Sequence, residues 1–345
     1  MSGDAAGGRD LYFSLFMFTA GLRLDDHDDR TAIVRHIETL TGYGYTGFDV
    51  PIAPPRTPHP ADDVEGYERL RDALDSAGLE RVPLSANVGA TRHYDPTSPY
   101  PEQRQAALVY LKSRVDITAV LRGRIMAGPL IFPYNVFPLT DAGDPIWSDA
   151  LQDWAAEHYA FAQPILDELG DYAGKRGVTL AIEPVDHWET PVPNHVGEVL
   201  DFLDGVVSPQ VGVCIDSAHV VLGGEGPAAF AEQVERAGRR RRIHSVHVSP
   251  PDRGALDDSW IPWRRFLEPV LRYYEGPLLI EVFNAVPALC GSLRLSRRKF
   301  RVSDEDPAVA GVPDAHTVAA RAARTVREQL SEVLAAPAGA RKELV

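Results

Sequence analysis

The sequence VTLAIEP at positions 178–184 is a short aliphatic run that ends in a polar residue. The same pattern returns in VGVCID (211–216) and PLLIEVF (277–283), and the more polar IHSVHVS (243–249), which also reads as a strand, lies between them. Short apolar runs of this length are typical of parallel strands that are buried on both faces. Amphipathic stretches with helical spacing separate the four segments. The pattern therefore predicts alternating strands and helices around a parallel sheet.

Four more strand-like segments precede this region. They are LYFSLFMFTA (11–20), YTGFDV (45–50), VPLSANV (82–88) and RIMAGPLIF (124–132). Eight strands, each followed by a helical stretch, predict a single (β/α)8 barrel over residues 11–336. The competing fold, an open doubly wound sheet, would need a glycine-rich phosphate loop after the first strand, and TAGLRLDD is not one.

The remaining segments are predicted to lie outside the regular barrel. Residues 1–10 and 337–345 are read as tails, and the stretch 284–313 as a long loop after the last strand. Within the helical stretches, Pro164 is expected to kink the one at 148–177, and Pro269 to interrupt the one at 262–276.

Composition narrows the classes of partner. The 345 residues carry a formal net charge of −14, which disfavours nucleic acid and anionic membrane surfaces. No run approaches the roughly 20 apolar residues of a membrane helix. Two cysteines make no disulfide framework, so we expect a reduced, cytoplasmic setting. A small molecule is the expected partner, and the sequence is compatible with a homo-oligomer.

The functional prediction depends on four polar residues at the C-terminal ends of the last four predicted strands. Glu183, Asp216, His247 and Glu281 follow one another at spacings of 33, 31 and 34 residues. A barrel of about 250 residues repeats every ~31 residues, so each of the four lies one strand–helix unit after the last. The C-terminal ends of barrel strands meet at one mouth, where barrel enzymes place their active sites.

Strand alternation places these side chains inside the barrel. Counting back from Glu183, the opposite face carries Ile182 and Leu180, and aliphatic residues alternate in the same way before Asp216 and Glu281. Three carboxylates and an imidazole buried together are too costly without compensation. A divalent cation is the simplest compensation. An oxygen-rich set with one nitrogen favours Mn²⁺ first, with Mg²⁺ or Co²⁺ as alternatives.

Around these residues the chain resembles the tagatose/psicose (ketose) 3-epimerases of the xylose-isomerase-like barrel superfamily. EPVDHWE (183–189) is similar to that family's Glu-Pro-x-x-x-x-Glu segment, DSAH (216–219) to its Asp-x-x-His, and HVSPPDRG (247–254) to its His-Val-Ser-x-x-x-Arg-Gly. The pair His187-Trp188 and the long stretch after Glu281 depart from the family pattern.

The resemblance implies roles for individual residues. Glu183, Asp216, His247 and Glu281 would hold the metal, and Glu183 and Glu281 would also transfer the proton. Glu189, His219 and Arg253 would bind sugar oxygens, and we add Trp188 as an expected sugar-stacking wall. The implied activity is a metal-dependent sugar epimerase or isomerase that removes and returns a proton beside a carbonyl, through an enediolate.

Other functions remain open at this stage. A metal-dependent lyase on a keto-sugar, of the inosose dehydratase or 3-oxo-glycoside C-deglycosidase type, begins with the same proton abstraction. The endonuclease branch of the superfamily needs more histidines and a basic face, which the net charge of −14 disfavours. A binding module without catalysis would not need Glu189, His219 and Arg253 beyond the metal ligands.

Overall fold

A computed structural model describes residues 8–18, 27–55, 57–283, 300–302 and 310–335. Most of the predicted 284–313 loop and all of the predicted 337–345 tail lie outside the described residues. So does most of the predicted 1–10 tail. Cys290 falls in the same undescribed part of the chain.

Eight parallel strands close into a barrel in sequence order, and the first strand pairs with the last. This confirms the predicted (β/α)8 fold. The strands are β1 (Leu11–Ser14), β2 (Gly47–Pro51), β3 (Leu84–Asn87), β4 (Ile125–Gly128), β5 (Thr179–Ile182), β6 (Val211–Asp216), β7 (Ile243–Val248) and β8 (Leu278–Ile280).

The α-helices of the described residues run between the strands and after the last one. They are α1 (His27–Gly42), α2 (Val64–Ser76), α3 (Pro101–Val120), α4 (Ser148–Gly174), α5 (Val196–Phe202), α6 (Ser217–Gly223), α7 (Pro227–Arg239), α8 (Trp263–Val270) and α9 (Ala315–Ala335). The short α6 was not predicted. None of the helices in these ranges is long and apolar enough to cross a membrane.

The predicted end of the first strand is corrected, and two prolines fall within helices. The first strand ends at Ser14, not at residue 20, because the Ser14 hydroxyl accepts a hydrogen bond from the Phe16 amide and starts a 3-10 turn over Leu15–Met17. Pro164 lies inside the continuous α4, whereas α8 ends at Val270, directly after Pro269. A proline lacks the amide proton that would continue the helical ladder.

The alternation predicted for the strands is present in the core. Leu180, Ile182 and Ile215 are fully buried in the large apolar cluster that includes helix residues such as Leu166 and Val234. The opposite face carries a separate cluster of the small residues Ala127, Ala181 and Cys214. Cys214 is buried with a free thiol.

A glycine at the end of β4 allows two strands to approach closely. Gly128 has a φ of +132°, and a Cβ built there would lie 2.2 Å from the Val88 carbonyl oxygen. No L side chain fits that contact. The Gly128 carbonyl in turn accepts a hydrogen bond of 2.9 Å from the Glu183 amide. The glycine therefore helps to fix the backbone that carries Glu183.

Arg114 ties the α3 helix to the loop before α2. Its side chain is fully buried, and its guanidinium donates to the Ala53 carbonyl (3.0 Å), the Pro60 carbonyl (2.8 Å) and the Asp63 carboxylate (2.9 Å). Its guanidinium carbon also lies 5.0 Å from the centre of the Tyr110 ring. These contacts satisfy polar groups that would otherwise be buried without partners.

We expect Arg114→Met to lower the free energy of unfolding by about 3 kcal/mol, because it leaves the buried oxygens unpaired. Chemical denaturation measures this loss. Arg69→Met is the matched control, since the Arg69–Glu65 pair is solvent-exposed and should contribute under about 1 kcal/mol. Equal stability losses in the two variants would contradict the role given to Arg114.

Candidate metal centre and active site

The four predicted ligands lie at the C-terminal ends of four neighbouring strands. Glu183 directly follows β5, Asp216 ends β6, His247 is the penultimate residue of β7, and Glu281 directly follows β8. Asp216 and His247 are register partners across β6 and β7. The Glu281 amide donates to the Val248 carbonyl at 3.0 Å, which extends the ladder to the ligand itself.

The barrel brings these four side chains together. One potential ligand atom from each of Glu183, Asp216, His247 and Glu281 lies within 4.8 Å of the others, and all four residues are buried. His247 Nδ1 is 3.4 Å from Glu183 Oε1 and 3.8 Å from Glu281 Oε2. The sequence predicted this grouping, although it could not predict these distances.

The hydrogen bonding of the cluster fits a divalent cation. Glu183 Oε1, Glu281 Oε1 and both ring nitrogens of His247 are buried without a hydrogen-bond partner. Buried polar atoms are rarely left without a partner. Burial also raises the pKa of the Asp216 carboxyl, although the Arg253 cation opposes the rise. A cation among three carboxylates and one imidazole would satisfy these atoms and offset the cost of burying them.

Arg253 closes one side of the centre from the loop after β7. Its backbone has a φ of +56°, and its side chain is nearly buried. Arg253 Nη1 lies 3.3 Å from Asp216 Oδ2 and 3.6 Å from Glu281 Oε2, and it also donates to the Ser249 hydroxyl. The guanidinium is therefore held beside two of the candidate ligands.

His219 lies between Arg253 and Glu189. The Asp216 carboxylate accepts hydrogen bonds from the Ala218 and His219 amides, so it also caps α6 and fixes the start of that helix. His219 Nε2 is 2.9 Å from Arg253 Nη2. Glu189 Oε1 accepts a hydrogen bond of 2.7 Å from the Tyr134 hydroxyl.

The charges around His219 act in opposite directions on its pKa. Burial and Arg253 lower the pKa, whereas Asp216, Asp186 and Glu189 raise it. The resulting pKa of His219 is about 9, above its ordinary value. A cation held by Asp216 would offset part of that rise, because it favours the neutral ring.

Trp188 lies in the loop between β5 and α5. Its side chain is 38% exposed, and its ring meets the His187 ring edge-on with 4.7 Å between the centroids. An exposed aromatic ring next to the barrel mouth is compatible with stacking on a sugar. That role stays a prediction.

Several polar residues of the site were not assigned from the sequence. Asp186 is buried beside His219, Tyr134 contacts Glu189 from the loop after β4, and Ser249 holds Arg253. Asp49 lies in the middle of β2, where burial raises its pKa to about 7 and the Ser85 hydroxyl donates to it at 2.6 Å. Of these residues, only Ser249 directly follows a strand, which is a signal that the sequence contains; Asp186 and Tyr134 lie in loops without such a signal.

Barrel enzymes place their active sites at the C-terminal mouth, and this closed (β/α)8 barrel has its buried carboxylate–histidine cluster there. Residues 37–303 match the family described as xylose isomerase-like TIM barrel. The chain belongs to this family.

The relatives include curated epimerases at low identity. The L-ribulose 3-epimerase of Methylomonas sp. (strain DH-1) is 25% identical over 224 residues, which are 64% of this chain and 72% of the relative. The ketose 3-epimerase of Arthrobacter globiformis is 24% identical over 265 residues, or 75% of this chain and 82% of the relative. These relatives identify the chain as an enzyme of the isomerase and epimerase class.

Solved structures show the same fold. A protein of Anabaena variabilis described as a candidate sugar phosphate isomerase/epimerase is 55% identical, with a TM-score of 0.91 over 94% of this chain and 99% of that one. The D-allulose 3-epimerase of Methylomonas sp. in complex with D-allulose is 21% identical, with a TM-score of 0.73 over 93% of this chain and 97% of that one.

Proposed function

We propose that this enzyme is a divalent-metal-dependent epimerase of a keto-sugar, and that it moves a proton at the carbon next to the carbonyl. One observation carries the proposal. Glu183 and Glu281 are two buried carboxylates of a single ligand cluster, and each has an oxygen without a hydrogen-bond partner. Such oxygens can share a cation and still accept or return a proton.

The four residues Glu183, Asp216, His247 and Glu281 would hold the cation, with Mn²⁺ expected first and Mg²⁺ or Co²⁺ as alternatives. When bound, a divalent cation supplies Lewis-acid stabilisation for negative charge that develops on a substrate carbonyl oxygen.

The chain's own residues supply the rest of the chemistry. One glutamate takes the proton from the carbon beside the carbonyl, and the C–H electron pair stays on the substrate. The other glutamate returns a proton to the opposite face and inverts that carbon. The roles of Glu183 and Glu281 exchange when the reaction runs in reverse.

Binding the sugar is assigned to residues around this pair. Arg253 donates hydrogen bonds, and Glu189 can accept them from hydroxyl groups. His219 Nε2, which accepts from Arg253 in this structure, can accept from a sugar hydroxyl in place of that contact. Trp188 is proposed as a stacking wall on the exposed side. Such contacts fix which C–H bond faces the glutamates, and a misplacement of about 1 Å can cost roughly 10²-fold in rate.

The names of the relatives suggest the substrate class. The curated relatives act on ketoses such as L-ribulose and D-psicose, whereas the Anabaena variabilis protein is described with a sugar phosphate. A panel of free ketoses, their phosphates and 3-keto-glycosides, supplied with Mn²⁺, identifies the substrate. A product that has lost water or an aglycone would favour the lyase alternative.

We expect the reaction in D₂O to place solvent deuterium at the inverted carbon, and at that carbon alone. Carboxylates exchange protons with water whenever a site opens, so a proton carried by Glu183 or Glu281 is replaced by deuterium. Mass spectrometry and NMR of the product give the amount and position of the label. Product that forms readily but stays unlabelled would contradict the two-glutamate transfer.

A second experiment separates a shielded proton from a hydride shift. With substrate deuterated at the reacting carbon, a shielded transfer loses some label to H₂O over many turnovers. A hydride shift retains all of it, and full retention would remove Glu183 and Glu281 from their proposed roles.

A further inference from the structure

Asp186, His219 and Arg253 form a buried line of contacts that leads into the centre. Asp186 Oδ1 lies 3.3 Å from His219 Nδ1, and His219 Nε2 lies 2.9 Å from Arg253 Nη2. Arg253 Nη1 continues the line to Asp216 Oδ2 at 3.3 Å. All four residues, including Asp216, are buried, so water screens these contacts only weakly.

The contact with Arg253 decides where the His219 proton lies. A guanidinium has five donor protons and no acceptor. His219 Nε2 can therefore meet Arg253 Nη2 at 2.9 Å only through its lone pair. In a neutral imidazole the proton is then on Nδ1, the nitrogen that faces Asp186. A ring with both protons would turn one donor against another, so the tautomer argument applies to the neutral ring, which a cation held by Asp216 would favour.

The same contact argues against a second metal position here. One ligand atom each of Asp186, Glu189 and His219 lies within 4.8 Å of the others, as a metal site would require. A cation on His219 Nδ1 would need the lone pair of that nitrogen, which would leave the proton on Nε2. That proton would point at the Arg253 donor. The group is therefore better described as a buried series of polar contacts than as a metal site.

The loop after β5 holds Asp186 in place for this contact. The Asp186 carbonyl accepts hydrogen bonds from the Glu189 amide (2.7 Å) and the Thr190 amide (3.1 Å), and the Asp186 amide donates to Glu189 Oε2. Glu189 Oε2 is farther from His219 Nδ1, at 3.8 Å. Asp186 Oδ1 and His219 Nδ1 lie 3.3 Å apart, and neither atom has a hydrogen-bond partner among the described residues. Each is therefore available to pair with the other.

We propose that Asp186 is a positioning residue that sets the tautomer of His219. By accepting the Nδ1 proton it keeps Nε2 as an acceptor, and that acceptor fixes Arg253 beside Asp216 and Glu281. The inference rests on the proposed function in one respect, because that proposal assigns the binding of sugar oxygens to Arg253 and His219. Asp186 acts on the substrate only through these two residues.

The test compares wild-type enzyme with Asp186→Asn. The asparagine has the same shape, but its neutral amide is a weaker acceptor and can turn its NH₂ group toward the ring. We expect the His219 proton to move from Nδ1 toward Nε2, and kcat/KM for the active keto-sugar to fall roughly 10–100-fold, as for other residues that orient a site histidine. Bound metal per chain should not change.

The tautomer is read by NMR of ¹⁵N-histidine-labelled full-length enzyme with saturating Mg²⁺, which has no unpaired electrons to broaden the signals. His219→Gln assigns the resonance. Asp201→Asn is the matched control, because Asp201 is an exposed α5 residue that pairs with Arg236. We expect this control to keep the wild-type tautomer and the wild-type kcat/KM.

Each outcome decides the proposal. A wild-type His219 with its proton on Nε2 overturns it, and so does an Asp186→Asn enzyme with an unchanged tautomer, whatever its activity. The wild-type spectrum gives an answer even if the variant does not fold. The NMR measurement needs no substrate. If the proposed epimerase activity is wrong, the wild-type enzyme will therefore be inactive but will still show the expected tautomer.

Discussion

Replacing Glu281 by glutamine is expected to lower turnover by about 10²–10⁴-fold, the range for loss of a positioned acid or base. Glutamine has nearly the same size, but it has no charge and no carboxylate oxygen that can take a proton from carbon and return it. Glu281 is 2% exposed, so water cannot easily take over the transfer. Steady-state kinetics on the substrate found in the panel measure the loss.

Metal content must be measured on the same sample, because Glu281 is also a candidate ligand. A glutamine oxygen can still bind a cation, so we expect a substantial share of Glu281→Gln enzyme to keep its metal. Glu275→Gln is the matched control on the approach to β8, where Glu275 is solvent-exposed. It should keep full activity.

Glutamine variants also distinguish the proton-transfer role of Glu281 from that of Glu183. If each serves one face of the sugar, Glu281→Gln should still exchange solvent deuterium into one epimer, through Glu183, without forming the other. Glu183→Gln should show the opposite preference. Near-native turnover of a metal-loaded Glu281→Gln enzyme would remove Glu281 from the proton transfer.

The fold could be predicted because parallel strands buried on both faces leave a simple pattern. LAI before Glu183 and VGVCI before Asp216 are apolar runs of strand length, and their one-unit spacing needs no knowledge of tertiary contacts. The predicted end of β1, at residue 20, was wrong because the apolar run continues past Ser14. The turn there depends on a hydroxyl contact that an apolar pattern does not contain.

The candidate ligands could be predicted for the same reason, since all four occupy equivalent strand ends. Asp186 and Tyr134 could not. Asp186 lies 33 residues from His219, and Tyr134 lies 55 residues from Glu189, so each contact depends on how two separate loops fold over the mouth. Nothing in the local sequence of either loop fixes that approach.

The second large effect expected is loss of activity and stability when the metal is removed. Three carboxylates lie in one buried cluster with a single imidazole, and without a cation they repel one another. We expect one divalent metal per chain by elemental analysis after mild purification. Dialysis against a chelator should abolish turnover, and Mn²⁺ should restore it.

Stability provides a readout that does not depend on substrate. A ligand that binds only the folded state adds about 4.1 kcal/mol at a concentration 1,000 times its Kd. The thermal midpoint should therefore rise when Mn²⁺ is added to chelated enzyme. His247→Gln removes the nitrogen ligand, so this variant should lose most of the rise. His187→Gln, in the neighbouring loop, should keep it. Full activity in a metal-free sample, or an equal rise in all three proteins, would contradict a metal site at Glu183, Asp216, His247 and Glu281.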